Sequence, residues 1–283
     1  MVYDSLTDAP RDFREGIDWL VALKGTDAEK NLAALGAAAY RFLSEKPDDS
    51  NQLPAYKKVE LITKEFLEQE GLKNRRPIKL MLSRFNTPRD EKPDSIAPFF
   101  GDFDGRVDGE YANEWRITAE NIAARLTKSV NACEKFLKDI QVPGKYKSAY
   151  SSEATWSGSC SKKPEECAAV FVGIAPMLYT GLVSLWEATD ADTFEWLPSR
   201  AQKDLEALLK ALRYAKPECR SKMRRSDVVK ALSGVGIDVL DTLHLFADFW
   251  AIYGSGNEGP VGVESVKAEE HVEAGESAEN LRC

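Results

Sequence analysis

The sequence predicts an all-α fold: a single multi-helix bundle of about seven to eight helices around a central, kinked apolar helix. Apolar residues recur at steps of three and four along most of the chain, as on one face of a helix. Strand-like alternation never extends beyond about four residues. Residues 167–186 carry no charged side chain, although 30% of all residues are charged. One-sided helices need such an apolar centre to pack against.

The first two predicted helices form an antiparallel pair. The first begins after a cap at Ser5 or Thr7 and ends at Gly25, a residue type that commonly ends helices. The second is capped by Asp27 and ends before Pro47, because proline disrupts a continuing helix. A short glycine turn between two helices favours antiparallel packing.

Three more helices and one long connection follow. The third helix begins after Pro54 and the fourth after Pro77, each with one apolar face. Residues 86–115 are dense in Pro, Gly and Asp, which predicts a long connection that is either functional or disordered. Thr118 caps a fifth helix, which ends before Pro143.

The second half contains the central helix and two others. The central helix covers residues 167–186, and Pro176 inside it is expected to bend or break it. An amphipathic helix follows around residues 205–212, and the last helix runs from Ser226 to about Tyr253. The sequence therefore predicts one helical domain at residues 2–253.

Residues 254–283 form an acidic segment, called the acidic tail below. They contain seven glutamates against Lys267 and Arg282, and few bulky apolar residues. Such a composition cannot bury enough apolar surface to fold alone. We therefore predict that the acidic tail is disordered.

Residues 167–186 could also be a membrane span, since about 20 apolar residues are enough to cross a bilayer. The stretch contains Gly173 and Pro176, and acidic residues such as Glu165 and Glu187 flank it on both sides. Membrane helices usually have basic flanks on one side. We expect a buried core helix, with a membrane span as the alternative.

Composition and motifs argue against several classes of function. The net charge of −8 argues against a general nucleic-acid-binding protein, which needs an excess of Lys and Arg. The N-terminus has no apolar segment of a cleavable secretory signal. The glycines of residues 234–239 lack the third glycine of a dinucleotide loop, and the aspartates of residues 102–108 lack the spacing of a calcium loop. We expect no metal, because no cysteine spacing matches a zinc site. We also expect no cofactor and no catalytic residue, since no serine or cysteine motif accompanies His244.

The loop after the fifth helix is rich in aromatic residues, at Tyr146, Tyr150 and Trp156. Tyrosine and tryptophan provide large contact areas at low entropic cost, which favours a recognition surface. The same residues could instead pack down on the core as a lid.

Residues 199–225 carry nine Lys and Arg against three acidic residues. The basic residues Arg220, Lys222, Arg224 and Arg225 are close together near the end of this stretch. A solvated helix face is one explanation. The other is a docking patch for an acidic partner, a phospholipid headgroup or the acidic tail.

The cysteines allow two interpretations. Cys160 and Cys167 have a spacing that a small disulfide loop can accommodate in an oxidising compartment, and Cys133 and Cys219 could form a second bridge. Four cysteines permit three pairings. In a reducing compartment all of them would be buried thiols.

Three phrases carry a resemblance to a known family. They are "YDSLTDAPRDFREGIDWLVALKGTDAEKNLAALGAAAYRFL" at residues 3–43, "NACEKFLKDI" at 131–140, and "SAYSSEATWSGSCSKKPEECAAVFVGIAPMLYTGL" at 148–182. Together they resemble a multigene family of Babesia parasites that is related to the variant erythrocyte surface antigens. The resemblance extends from about residue 3 to residue 253.

The resemblance implies a non-enzymatic antigen at the surface of an infected erythrocyte, or exported into it, with a role in adhesion and immune evasion. Its partner would be a protein or cell-surface ligand, bound through loops near Trp156 and residues 99–111. The alternative is a protein of the parasite cytoplasm, an intracellular helical scaffold that docks partners through residues 199–225.

Overall fold

The computed structural model describes residues 2–44, 54–86, 118–142, 144–189, 198–214 and 223–253. Within these ranges the chain forms ten α-helices and no β-strand, which confirms the all-α prediction. The helices are α1 (Phe13–Lys24), α2 (Ala28–Ser44), α3 (Pro54–Leu67), α4 (Arg76–Asn86), α5 (Ala119–Ile140), α6 (Trp156–Ser159), α7 (Pro164–Thr189), α8 (Pro198–Ala211), α9 (Arg225–Leu232) and α10 (Ile237–Tyr253). The acidic tail lies outside the described residues.

Local chemistry fixes where several helices begin and end. Asp12 caps α1 by accepting a hydrogen bond from the amide of Glu15 over 3.0 Å, so the predicted cap at Ser5 or Thr7 is wrong. Gly25, at φ +51°, ends α1 as expected, because glycine tolerates this conformation. Thr118 caps α5 as the sequence predicted.

The central helix, α7, is longer than its uncharged stretch and packs against seven others: α1 to α4 and α8 to α10. Ile174 and Leu182 within it have no exposed surface. The helix continues through Pro176, whose carbonyl accepts a hydrogen bond from the hydroxyl of Thr180 over 2.6 Å. The sequence therefore located the apolar centre, and Pro176 does not break it.

Two glycines of α7 let neighbouring helices approach closely. A Cβ atom at Gly173 would lie 2.5 Å from Val59 of α3, and one at Gly181 would overlap the ring of Phe13 on α1. Side chains at these two positions would push α3 and α1 away from the centre.

The last predicted helix, from Ser226 to Tyr253, is two helices in the structure. α9 ends at Leu232, and α10 begins at Ile237 after Gly234 and Gly236. Glycine is unfavourable inside a helix, and two glycines so close together separate the apolar faces of α9 and α10. With this break and the one-turn helix α6, the described part has more helices than the seven to eight predicted.

The second large helix, α5, packs against α1, α2, α9 and α10. The bundle therefore has α7 at its centre, and α5 closes it on one side. Buried apolar side chains from all ten described helices belong to one continuous core. Among the described residues, α7 is the one helix long and apolar enough to cross a membrane, and 89% of its apolar window is buried.

Candidate functional site

The residues ahead of α1 pack against the loop between α5 and α7. We call this contact region, residues 3–9 and 146–160, the clasp. The amide of Tyr3 donates to the carbonyl of Ala149 over 2.8 Å, and the amide of Ser151 donates to the carbonyl of Tyr3 over 2.9 Å. A parallel β-bridge thus joins two segments that are far apart in the sequence.

Further hydrogen bonds connect the clasp to α1 and α6. The indole N–H of Trp19 donates to the carbonyl of Leu6 over 2.8 Å, and the amide of Leu6 donates to the hydroxyl of Ser159 over 2.9 Å. The hydroxyl of Tyr150 donates to the carbonyl of Asp8 over 2.6 Å. These hydrogen bonds therefore tie the N-terminal segment to α1, to α6 and to the loop around Tyr150.

A buried polar network lies beneath the clasp, around Asp18 of α1. The hydroxyl of Tyr146 donates to Asp18 over 2.6 Å, and the amide of Ala149 donates to its other oxygen over 2.9 Å. The guanidinium of Arg14 donates to the Tyr146 hydroxyl and to the carbonyl of Lys147, and it stacks 4.7 Å from the Tyr146 ring centroid. These contacts satisfy a carboxylate that is only 1% exposed.

Burial changes the acidities in this network. It raises the pKa of Asp18 to about 6, against the opposing effect of the Tyr146 and Ala149 hydrogen bonds. Burial, followed by the nearby charge of Asp18, raises the pKa of Tyr146 well above its usual value. Asp18, beneath the clasp, is therefore the group of this network whose pKa lies closest to neutral pH.

The three aromatic residues proposed as a recognition surface do not form an exposed loop. Tyr150 is 5% exposed and Trp156 is 6% exposed, while Tyr146 is partly buried against the core. They pack down as a lid, the alternative that the sequence left open. Packing on the core buries the large apolar area of these rings. The rings are therefore not free to contact a ligand.

A disulfide joins Cys160, just after α6, to Cys167 in the first turns of α7. Both residues are fully buried, and their Cα atoms are 5.8 Å apart. The hydroxyl of Thr155 caps α6 by accepting from the amide of Gly158 over 3.2 Å. The disulfide therefore ties the lid directly to the central helix.

Cys133 of α5 is a free, buried thiol. Burial raises its pKa to about 12, so it is a poor nucleophile at neutral pH. Cys219, its suggested partner in a second bridge, lies outside the described residues.

The predicted basic docking patch is described only in part, because Arg220 and Lys222 lie outside the described residues. Arg225 is engaged inside the protein: its guanidinium donates twice to the carbonyl of Thr189, at 2.6 and 2.8 Å. A cation at the last carbonyls of a helix is favourable. Arg224 is exposed and Arg225 is partly exposed, so Arg224 is the more accessible of the two described arginines.

His244 lies in a cluster that joins α4, α7 and α10. Its Nδ1 is 3.6 Å from Asp248, its Nε2 is 3.4 Å from Arg84, and its ring centroid is 4.8 Å from that of Tyr179. Arg84 also contacts Asp248. None of these contacts is with a serine or cysteine that a histidine base would activate.

Within the described ranges, no three His, Cys, Asp or Glu residues are grouped as a metal site would need. The aspartates of residues 102–108 and the proposed contact loop at residues 99–111 lie outside these ranges.

The clasp itself was not predicted from the sequence. Its backbone pairing joins residues near Tyr3 to residues near Tyr150, and neither segment has the alternating pattern of a strand.

Comparisons with models of protein families, with curated proteins and with solved structures found no match to this chain.

Proposed function

We propose that this protein is a non-enzymatic interaction protein that is exported to, or exposed at, the surface of an infected erythrocyte. The disulfide between Cys160 and Cys167 is the observation that carries this proposal. Disulfides persist in oxidising compartments and are rare in the reducing cytosol. The resemblance to a Babesia surface-antigen family adds the cell type and the role in adhesion.

Two features of the described residues suit a secreted module. The lid of aromatic side chains and the disulfide hold the clasp on the central helix, which covers the start of that helix. The bundle packs α7 inside protein, so the proposal needs no lipid around it. The contact surface would then lie outside the lid, and residues 99–111 remain the proposed loop.

The test of the proposal combines thiol mapping with localisation. Cells are lysed under acid quench, free thiols are alkylated after unfolding, and modified peptides are identified by mass spectrometry. We expect Cys160 and Cys167 to be unmodified until a reductant is added. Cys133 is the internal control, because it is a free thiol of the same chain and should be alkylated without reduction.

Localisation decides between the two compartments. A tagged protein on infected erythrocytes should be degraded by protease added outside the intact cell. Alkylated Cys160 and Cys167 together with complete protease resistance would contradict export and favour the intracellular scaffold. Saturable binding to red-cell or endothelial surfaces should disappear when residues 99–111 are replaced by a Gly-Ser linker.

A further inference from the structure

The helix α3 turns one charged and apolar stripe outward. We call its three exposed residues, Lys58, Leu61 and Glu65, the α3 stripe. They recur at steps of three and four, so they lie on one face of the helix. Leu61, at the centre of this face, is 60% exposed. An open groove of about 690 Å³ separates the α3 stripe from the start of α1 and from Arg213 after α8. The side chains of a partner therefore have room beside Leu61.

The residues that line this groove carry no net charge. The three cations are Arg11, Lys58 and Arg213, and the three carboxylates are Asp12, Glu15 and Glu65. The whole chain has a net charge of −8, so two copies repel each other over most directions of approach. A neutral face is the place where two copies meet with little repulsion. The same face has no excess charge to attract a purely acidic or purely basic ligand.

The charges of the α3 stripe are available for pairing, whereas those at the start of α1 are engaged. Asp12 lies 3.9 Å from Arg213, and Glu15 already accepts two hydrogen bonds from residues ahead of α1. Among the described residues, neither Lys58 nor Glu65 forms an ion pair. An interface at α3 would therefore use these two side chains first.

The order of the charges along α3 makes the stripe complementary to itself. Lys58 lies three residues before Leu61, and Glu65 lies three residues after Ile62. A two-fold axis between positions 61 and 62 makes two copies of α3 antiparallel, and each Lys58 then faces the Glu65 of the other copy. Leu61 of each copy faces Ile62 of the other. In a parallel pair like charges would face each other, which is unfavourable.

We propose that the α3 stripe is the interface of a homodimer, in which α3 of a second copy packs antiparallel on α3. Two Lys58–Glu65 pairs flank an apolar centre formed by Leu61 and Ile62. One helix pair and its rim bury less than about 1,200 Å², the low end of specific interfaces, so the dimer dissociates on dilution. This inference does not rest on the proposed function or on the compartment in which the protein is found.

Sedimentation equilibrium of the full chain tests the dimer. We expect the average mass to rise from that of one chain toward that of two between about 1 and about 200 µM protein. Lys58→Glu and Glu65→Lys each place like charges opposite each other at both pairs, so each should weaken the dimer at least about tenfold. Lys138→Glu makes the same change of net charge as Lys58→Glu on the exposed side of α5 and should leave the dissociation constant unchanged.

Exchanging the two charges distinguishes a specific pairing from damage to the fold. The double variant Lys58→Glu/Glu65→Lys restores both pairs with their partners exchanged, so its dissociation constant should return to within about threefold of the wild-type value. An equimolar mixture of the two single variants should form a heterodimer, although each associates only weakly with itself. Circular dichroism spectra and thermal midpoints should match the wild type, because both side chains are exposed.

Three results would overturn the proposal. The first is a chain that stays monomeric up to about 200 µM. The second is a dimer that neither single variant weakens, and the third is a dimer that the single variants weaken and the double variant does not restore. The last two results would place the contact between copies elsewhere on the surface.

Discussion

Asp18 is the residue whose burial has the clearest consequence for stability. Its folded pKa of about 6 is raised by burial, above the value of about 3.9 for an exposed aspartate. The folded state therefore binds a proton more tightly than the unfolded state between these two pH values. The stability that Asp18 contributes is full below about pH 4 and is lost as the pH rises through about 6.

The first prediction follows from this sign. The unfolding free energy of the wild type, relative to that of Asp18→Asn, should rise by about 2 kcal/mol from pH 7.5 to pH 4.5. Urea unfolding at both pH values measures it. Asp4→Asn is the control, since Asp4 is an exposed acid of the same segment. If the difference in unfolding free energy between the wild type and Asp18→Asn were the same at both pH values, the raised pKa of Asp18 would be contradicted.

Two neighbouring arginines provide a second test at this scale. Arg225→Ala removes two hydrogen bonds to the carbonyl that ends α7, and hydrogen bonds that involve a charged group contribute about 1.5 to 3 kcal/mol. Because Arg225 is partly exposed, we expect a loss of about 1 kcal/mol in denaturant unfolding. Arg224→Ala should change the stability by less than about 0.5 kcal/mol. Equal losses for the two variants would show that Arg225 does not support the end of α7.

At the scale of elements, close helix packing depends on the glycines of α7. Gly181→Ala would bring a methyl group into steric overlap with the edge of the Phe13 ring, and such overpacking costs about 1 to 3 kcal/mol. Gly16→Ala is the matched control: its Cβ would lie 3.2 Å from the end of Leu178, a flexible side chain that can move. We expect a lower thermal midpoint for Gly181→Ala and little change for Gly16→Ala. The reverse order would mean that α1 and α7 are not in contact at Gly181.

The sequence predicted helices well because apolar periodicity is a local property. The N-cap of α5 at Thr118 and the end of α1 at Gly25 could be predicted from single residue types. The break between α9 and α10 was missed, although Gly234 and Gly236 are a local signal for it. These glycines were considered as a nucleotide-binding motif and not as a helix boundary.

The clasp could not be predicted because its cause is not local. Tyr150 and Trp156 fit both an exposed recognition loop and a packed lid, and composition alone does not distinguish the two. The choice depends on which surface of α1 and α7 is left uncovered, which is known only once the helices are assembled. The buried Asp18 was missed for the same reason: α1 alone gives no sign that Tyr146 will cover it.

At the scale of the whole molecule, α7 is surrounded by other helices of the same chain. Seven helices pack against it, and α3 and α1 approach it closely at Gly173 and Gly181. The interpretation of α7 as a core helix, rather than a membrane span, remains a prediction. The disulfide at Cys167 fixes the start of this helix to the lid, so the lid and the centre should unfold together.

Hydrogen exchange of α7 in detergent-free buffer is the most direct test of this account. We expect the amides of residues 168–188 to be the slowest in the chain, exchanging about 10⁴-fold or more slowly than in an unfolded chain, because they open only with global unfolding. Amides of α7 that exchange as fast as those of the exposed turns, or that become protected only when detergent or lipid vesicles are added, would contradict it.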